Sequence, residues 1–281
     1  MIAVVTDSNA QLPPELAERY GIEIVPLTVT VDGEPFAEGV DLDADAFYAR
    51  FDDGTPTVST SQPSPGMFAE AYVRVAQRGA SEILSIHIGS AISGTLNSAR
   101  LAIAASPIPV RLVDTGTASF GVACCVWEAA SALERGCSAA EAAMIATTLA
   151  GSIGNVFVVR ALDLARAGGR LQVGFDDSAD AEAIPVLSLI DGEIRVVGQA
   201  HDLEEAAAVM ADFVTLSGES LKVAVGVADR AAMPLWTALE THLEQAPQVR
   251  EVIRYRIGPS VGAHTGPGTA GAFFYPAGTR R

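Results

Sequence analysis

Apolar and polar positions fall in blocks along this chain, and the blocks change period from strand to helix again and again. Ile2-Ala-Val-Val-Thr6 is a short β-branched run ending on the polar triplet Asp7-Ser8-Asn9, the signature of a buried parallel strand. Pro13-Pro14-Glu15 opens a short helix that ends near Gly21. A second strand region covers Ile22 to Val31, Asp43 caps a helix through Phe51, and Pro65 opens a longer helix through Arg78. Glu82 to Ile88 and Val110 to Val113 read as strands, Gly94 to Ala105 and Ser119 to Arg135 as helices, the last stopping at Gly136. Strand and helix in alternation predict crossover units, hence a parallel sheet covered by helices on both faces.

Beyond Arg170 the pattern shifts. Ile184 to Ile190 and Ile194 to Val197 are apolar runs joined by Asp191-Gly192, a hairpin signal. Helices at Leu203 to Leu216 and Ala231 to Leu243 alternate with strands at Lys222 to Val227 and Val249 to Tyr255, and a Gly-rich segment then leads to Gly271-Ala-Phe-Phe-Tyr275. The expected architecture is α/β: a three-layer N-terminal domain, residues 1–168, on a parallel sheet, and a C-terminal α/β domain, residues 169–281, on a mixed or antiparallel sheet. The Gly168-Gly169 pair marks the boundary.

Composition narrows the function classes. With 49% hydrophobic and 19% charged residues, the 281-residue chain has to bury a large apolar core. No apolar run reaches the roughly 18 residues of a membrane span, and Met1 to Thr6 lacks a signal peptide's basic and small-residue flanks, so a cytoplasmic protein without membrane insertion is expected. Cys124, Cys125 and Cys137 suit buried reduced thiols in a helical pattern. The formal charge of −16 repels phosphate backbones and argues against nucleic acid as a partner.

Several motifs fail their structural test. Gly266-Pro-Gly-Thr-Ala-Gly271 has the letters of a dinucleotide fingerprint, but Phe273-Phe274-Tyr275 follows where a helix should open. Gly89-Ser-Ala-Ile-Ser-Gly94-Thr95 has the context of a phosphate loop without its lysine. Asp41-Leu-Asp-Ala-Asp45 starts like a calcium loop but has Ala46 at the obligatory glycine and Asp52 at the closing glutamate, so it reads as a helix start. His87, His201, His242 and His264 have no metal-ligand spacing, and His87, inside an apolar strand, reads as a satisfied core histidine. No metal or cofactor is expected.

What remains is three loops rich in hydroxyls and glycine: Ser59-Thr60-Ser61-Gln62-Pro63-Ser64-Pro65, Ser90-Ala-Ile-Ser93-Gly94-Thr95, and Gly262-Ala-His264-Thr265-Gly266-Pro267-Gly268. The first two precede helices, where hydroxyl donors, unpaired N–H groups and the helix dipole suit one monoanion held without a lysine. Taken singly, Ser and Thr before helices are usually caps and Gly-rich stretches usually turns; together the three loops fit something more specific.

In order and spacing, these loops resemble the DegV family of fatty-acid-binding proteins. The likeness runs over nearly the whole chain, through Val5-Thr6-Asp7-Ser8, Thr60-Ser61-Gln62-Pro63-Ser64-Pro65, Ile92-Ser93-Gly94-Thr95, Val113-Asp114-Thr115, the Leu162 to Arg170 stretch, Asp191-Gly192 and His264-Thr265-Gly266-Pro267-Gly268. The resemblance implies two α/β domains with a long-chain fatty acid between them as the only bound ligand, its acyl chain in a tunnel. By matching motif, Ser61 and Ser93 would hydrogen-bond the carboxylate, with Thr60, Gly94 and Thr95 in the same loops. His264 would approach the head group, and Arg170 would order that end of the site. The acid would be offered to a partner fatty acid kinase, this chain being the carrier and not the enzyme. The chain departs from the family pattern at Glu182-Ala-Ile-Pro185, which lacks a lysine, at Gln199-Ala200-His201, where relatives commonly carry an arginine, and at Gly89, where a serine is usual.

Two other classes fit the residues alone. One is an acyl hydrolase or transferase using Ser93 or Ser61 as nucleophile and His264 as base. The other is a structural or protein-interaction module, which binds no small molecule.

Overall fold

The structure is a computed structural model that describes residues 1–160, 183–190 and 193–277. The chain forms two compact units: Met1–Asp43 with Thr57–Gly151, and Ala44–Pro56 with Ser152–Arg281. The boundary expected at Gly168-Gly169 lies outside the described residues, and the second unit already includes the strand that begins at Gly154.

In chain order the first elements are β1 (Ile2–Asp7), α1 (Pro14–Tyr20), β2 (Glu23–Val25), β3 (Thr28–Val31), β4 (Glu34–Ala37), α2 (Ala44–Ala49) and β5 (Val58–Ser61). They are followed by α3 (Pro65–Gln77), β6 (Glu82–His87), α4 (Thr95–Ala102), β7 (Val110–Asp114), α5 (Phe120–Glu134) and α6 (Ala139–Ala150). The first unit has a parallel sheet in the order β2-β1-β6-β7. Its central strands are buried along almost their whole length, which is why they read as unbroken apolar runs.

Alternate residues face opposite ways along a strand. Ala3, Val5 and Ile83 pack with Phe68, Ala71 and Tyr72 of α3 and Ala99 of α4, whereas Val4, Leu84 and Ile86 are buried outside that cluster. Helices α5 and α6 contact β1, β6 and β7 from that other side, completing the expected three layers. Each fully buried large side chain, such as Phe68, contributes about 1.5–3 kcal/mol of hydrophobic stabilisation.

The expected strand Ile22–Val31 is two strands in different sheets. β2 joins the parallel sheet, while β3 is the middle of a small antiparallel sheet in the order β4-β3-β5. Asp32 and Gly33 turn β3 into β4 with φ of 49° and 87°, the left-handed pair a two-residue hairpin needs.

The second unit contains β8 (Gly154–Val158), β9 (Ile184–Ile190), β10 (Glu193–Ala200), α7 (Leu203–Thr215), β11 (Leu221–Val227), α8 (Met233–Gln245), β12 (Val249–Arg256), α9 (Pro259–Thr265) and β13 (Ala270–Pro276). Its sheet runs β10-β9-β8-β13-β11-β12 and is mixed, as expected, with β11 and β12 parallel and the other pairs antiparallel. β9 and β10 pair antiparallel, and Asp191 and Gly192, the expected hairpin signal between them, lie outside the described residues. Helices α7 and α8 pack together over a core of Val156, Val186, Met210, Val225, Leu235 and Leu239.

Helix α2 belongs to this second unit because it packs on α9. A Cβ on Gly262 would lie 2.5 Å from Tyr48 Oη and 2.7 Å from Phe47 Cε1, so only glycine allows the two helices this approach. Arg256 adds a 2.6 Å ion pair with Asp45.

Candidate functional site

In the parallel sheet of the first unit, β1 connects to β2 on one side while β6 lies on the other, so the strand order reverses between β1 and β6. Ligands of open α/β sheets bind outside the carboxyl ends of the strands at such a switch point. Asp7 ends β1 there and His87 ends β6, and both are fully buried.

Asp7 accepts hydrogen bonds from His87 Nδ1 (2.9 Å), the Ile88 N–H (3.1 Å) and the Asn9 N–H (3.1 Å). The other imidazole nitrogen is 2.6 Å from Ser85 Oγ, which lies 3.1 Å from Tyr72 Oη. Tyr72 also donates to the Ala99 carbonyl of α4 at 3.4 Å. Burial pushes the Tyr72 phenol up to about 12 despite the opposing Ser85 hydrogen bond. His87 is thus a satisfied core histidine. Ser85, His87 and Asp7 have the order of a nucleophile triad, but all three are 0% exposed and a substrate does not reach Ser85.

The loop that follows His87 carries Ser93, Gly94 and Thr95. The Ile92 and Ser93 N–H groups both donate to the Gly89 carbonyl, at 2.9 and 3.0 Å, so this turn has spent donors that a phosphate loop would aim at its ligand. Gly89 itself is wedged against the next turn, where an added Cβ would come within 2.7 Å of Gly116. Asp114 braces the loop from β7 by accepting from the Ser90 N–H (3.0 Å), the Ser90 hydroxyl and the Gly116 N–H (3.0 Å). Partial burial would raise its pKa, but these hydrogen bonds and the nearby Arg100 outweigh that and hold the carboxyl below the usual range.

Ser93 Oγ lies 2.8 Å from Thr95 Oγ1 and accepts from the Thr95 N–H at 3.3 Å, which pairs the two hydroxyls at the start of α4. Gly94 is the N-cap of α4, and the Gln62 amide lies so close that a Cβ on Gly94 would sit 1.9 Å from Gln62 Oε1. Gln62 Nε2 also reaches Ser98 Oγ at 3.4 Å. The two hydroxyl loops of the first unit therefore meet through Gln62, a residue the sequence reading quoted without assigning it a role.

Thr60 and Ser61 end β5, opposite Val29 and Thr28 of β3. They face opposite sides of the strand, Thr60 half-buried and Ser61 exposed. Ser64 is a helix cap, accepting from the Met67 N–H of α3 at 3.3 Å.

His264 lies in the second unit, half-buried in the last turn of α9. Gly266 ends that helix at φ 69°, and the Gly268 N–H donates to Asp229 Oδ1 at 2.9 Å. Gly271 falls inside β13, so no helix opens at the third glycine of the fingerprint. Arg170 lies outside the described residues. At the Gln199-Ala200-His201 departure, Ala200 is buried, and His201 precedes Asp202, the N-cap of α7, with its N–H and Nδ1 reaching Glu205 at 2.7 and 3.1 Å.

The first unit thus offers neutral hydroxyl donors at the entrance of α4, next to a sheet switch point, an arrangement whose chemistry suits a carboxylate. Among the described residues no group of His, Cys, Asp and Glu side chains suits a metal, and no helix is long and apolar enough to cross a membrane.

Comparison with known proteins covers nearly the whole chain. A family model described as "Uncharacterised protein, DegV family" matches residues 1–277. A DegV domain-containing protein of Streptomyces coelicolor is 34% identical over 272 residues, 96% of either chain. Another, from Deinococcus radiodurans, is 32% identical over 291 residues, 98% of either chain. Among solved structures, a DegV family protein from Thermus thermophilus, described for its fatty acid binding, superposes with a TM-score of 0.87 at 30% identity, covering 98% of this chain and 99% of that one. DegV of Bacillus subtilis, a fatty acid binding protein, gives 0.84 at 25% identity, with 98% and 99% covered.

Proposed function

Because the chain belongs to the DegV family, we propose that it binds one long-chain fatty acid and presents the carboxylate to a separate ATP-dependent kinase. The observation that carries the reading is the likeness, along 98% of the chain, to a Thermus thermophilus DegV protein described as binding fatty acid. The hydroxyl pair at the start of α4 supplies a head-group site of matching chemistry.

Ser93 is the principal carboxylate donor, with Ser61, Thr60, Gly94 and Thr95 around it. His264 is a further donor to the head group, and Arg170 orders that end of the site. The division of labour follows from magnitudes. Each buried methylene contributes about 0.8 kcal/mol, so fourteen of them contribute on the order of 11 kcal/mol before the cost of immobilising the chain. Burying the carboxylate costs several kcal/mol unless it is hydrogen-bonded. The acyl chain supplies the affinity, and the hydroxyls offset the head group's desolvation and fix its direction.

Native mass spectrometry of freshly purified protein, with lipid extraction, tests the reading. A co-purified acyl chain of defined mass is the expected result. Delipidated protein that takes up no palmitate would refute it.

A further inference from the structure

Asp7 is a fully buried carboxylate at the base of the loop proposed to receive a second one. Its Oδ2 accepts from both His87 Nδ1 and the Ile88 N–H, at 2.9 and 3.1 Å. Ile88 leads directly into Gly89, whose carbonyl closes the turn that carries Ser93. On its other side the imidazole meets Ser85, which lies against Tyr72, and Tyr72 holds the Ala99 carbonyl of α4. Both flanks of the Ser93 loop, the end of β6 and helix α4, are therefore tied to the Asp7–His87 pair.

Electrostatics gives that tie a role beyond packing. A buried carboxylate repels an incoming anion across a low-dielectric interior unless donors compensate it. Two of the three donors to Asp7 are backbone N–H groups; the third is the His87 imidazole.

We infer that His87 is a positioning residue for the head-group site: it compensates the Asp7 carboxylate and, through Asp7, fixes Ile88, so that the Ser93 loop accepts an anion beside a buried negative charge. The inference rests on the fatty-acid reading above.

The test titrates the delipidated full-length chain with palmitate and with hexadecanol, which has the same chain length and an uncharged head. Wild type binds palmitate; its failure to do so overturns the fatty-acid reading itself. In His87→Gln, palmitate affinity falls about tenfold or more, while hexadecanol affinity stays within about twofold. Adding Asp7→Asn to that variant restores palmitate to within about threefold of wild type, because the amide oxygen still accepts from Ile88, at the loss of the Asn9 N–H bond, and the charge that His87 offset is gone.

Equal losses for both ligands, or no recovery in the double variant, mean a purely structural role and overturn the inference. If His87→Gln does not fold, Asp7→Asn alone decides. It removes the charge and keeps an acceptor, so it should bind palmitate about threefold more tightly than wild type relative to hexadecanol. An unchanged or lower ratio overturns the inference.

Discussion

At the residue scale the proposed head-group site is a matter of which donors remain available once local hydrogen bonds are counted. Ser64 and Ser90 are committed, to the α3 cap and to Asp114, while Ser93 and Thr95 share one short contact at the opening of α4. Ser93→Ala should weaken palmitate binding by about 1–3 kcal/mol, roughly 5- to 150-fold, with little change in melting temperature. Calorimetric titration alongside a thermal melt checks both halves of that statement.

Asp114 makes a pH-dependent prediction. Its carboxyl is held below the ordinary value, so the stability it contributes is complete above about pH 4 and is lost as pH falls through the lower, folded value. Asp114→Asn should lower the melting temperature at neutral pH, and the gap to wild type should close on acidification below about pH 4. A gap that persists in acid would contradict the brace assigned to Asp114.

At the element scale, much of the fold is legible in the chain. The continuous apolar runs of β1 and β6, the proline that opens α3 and the glycine that stops α1 follow from burial and capping rules that act locally. The rest fails for identifiable reasons. Asp32-Gly33 is the same dipeptide that signals the β9–β10 hairpin, yet the β-branched residues before it merge with β2 into one apparent strand. Ser138 to Glu141 is a capping box, and the alanine-rich helix behind it, α6, has too little apolar contrast to stand out by periodicity.

Helix α9 hides behind glycines that read as loop, although Gly262 is there because α2 passes over it. The head-group loops were legible as motifs; their junction through Gln62 was not, because it depends on two loops far apart in sequence. Gly262→Ala should cost about 1–3 kcal/mol by forcing α2 away from α9. A thermal melt of the variant should fall by about 2 °C or more, and an unchanged melt would mean that the contact is looser than described.

At the scale of the whole molecule, two compact units are woven from a chain that crosses between them more than once: residues 44–56 leave the first unit to complete the second, and the chain then returns. The pieces are consequently not separable by a single cut. A fragment beginning at Ser152 contains the mixed sheet and α9 but lacks Phe47 and Tyr48, which cover Gly262. Its far-ultraviolet circular dichroism should melt at lower temperature than the full chain, and addition of a peptide spanning residues 44–56 should raise it again. A fragment as stable as the full chain would assign α2 no structural weight.

The same weave sets a schedule for synthesis. Asp45 and Arg256, partners across 211 residues, leave the ribosome far apart in time. At about 5–20 residues per second, the aromatic side chains of α2 wait roughly 10–40 s for the helix that shelters them. Throughout that interval the nascent chain displays an oily, unpartnered turn, a natural landing place for a holdase chaperone.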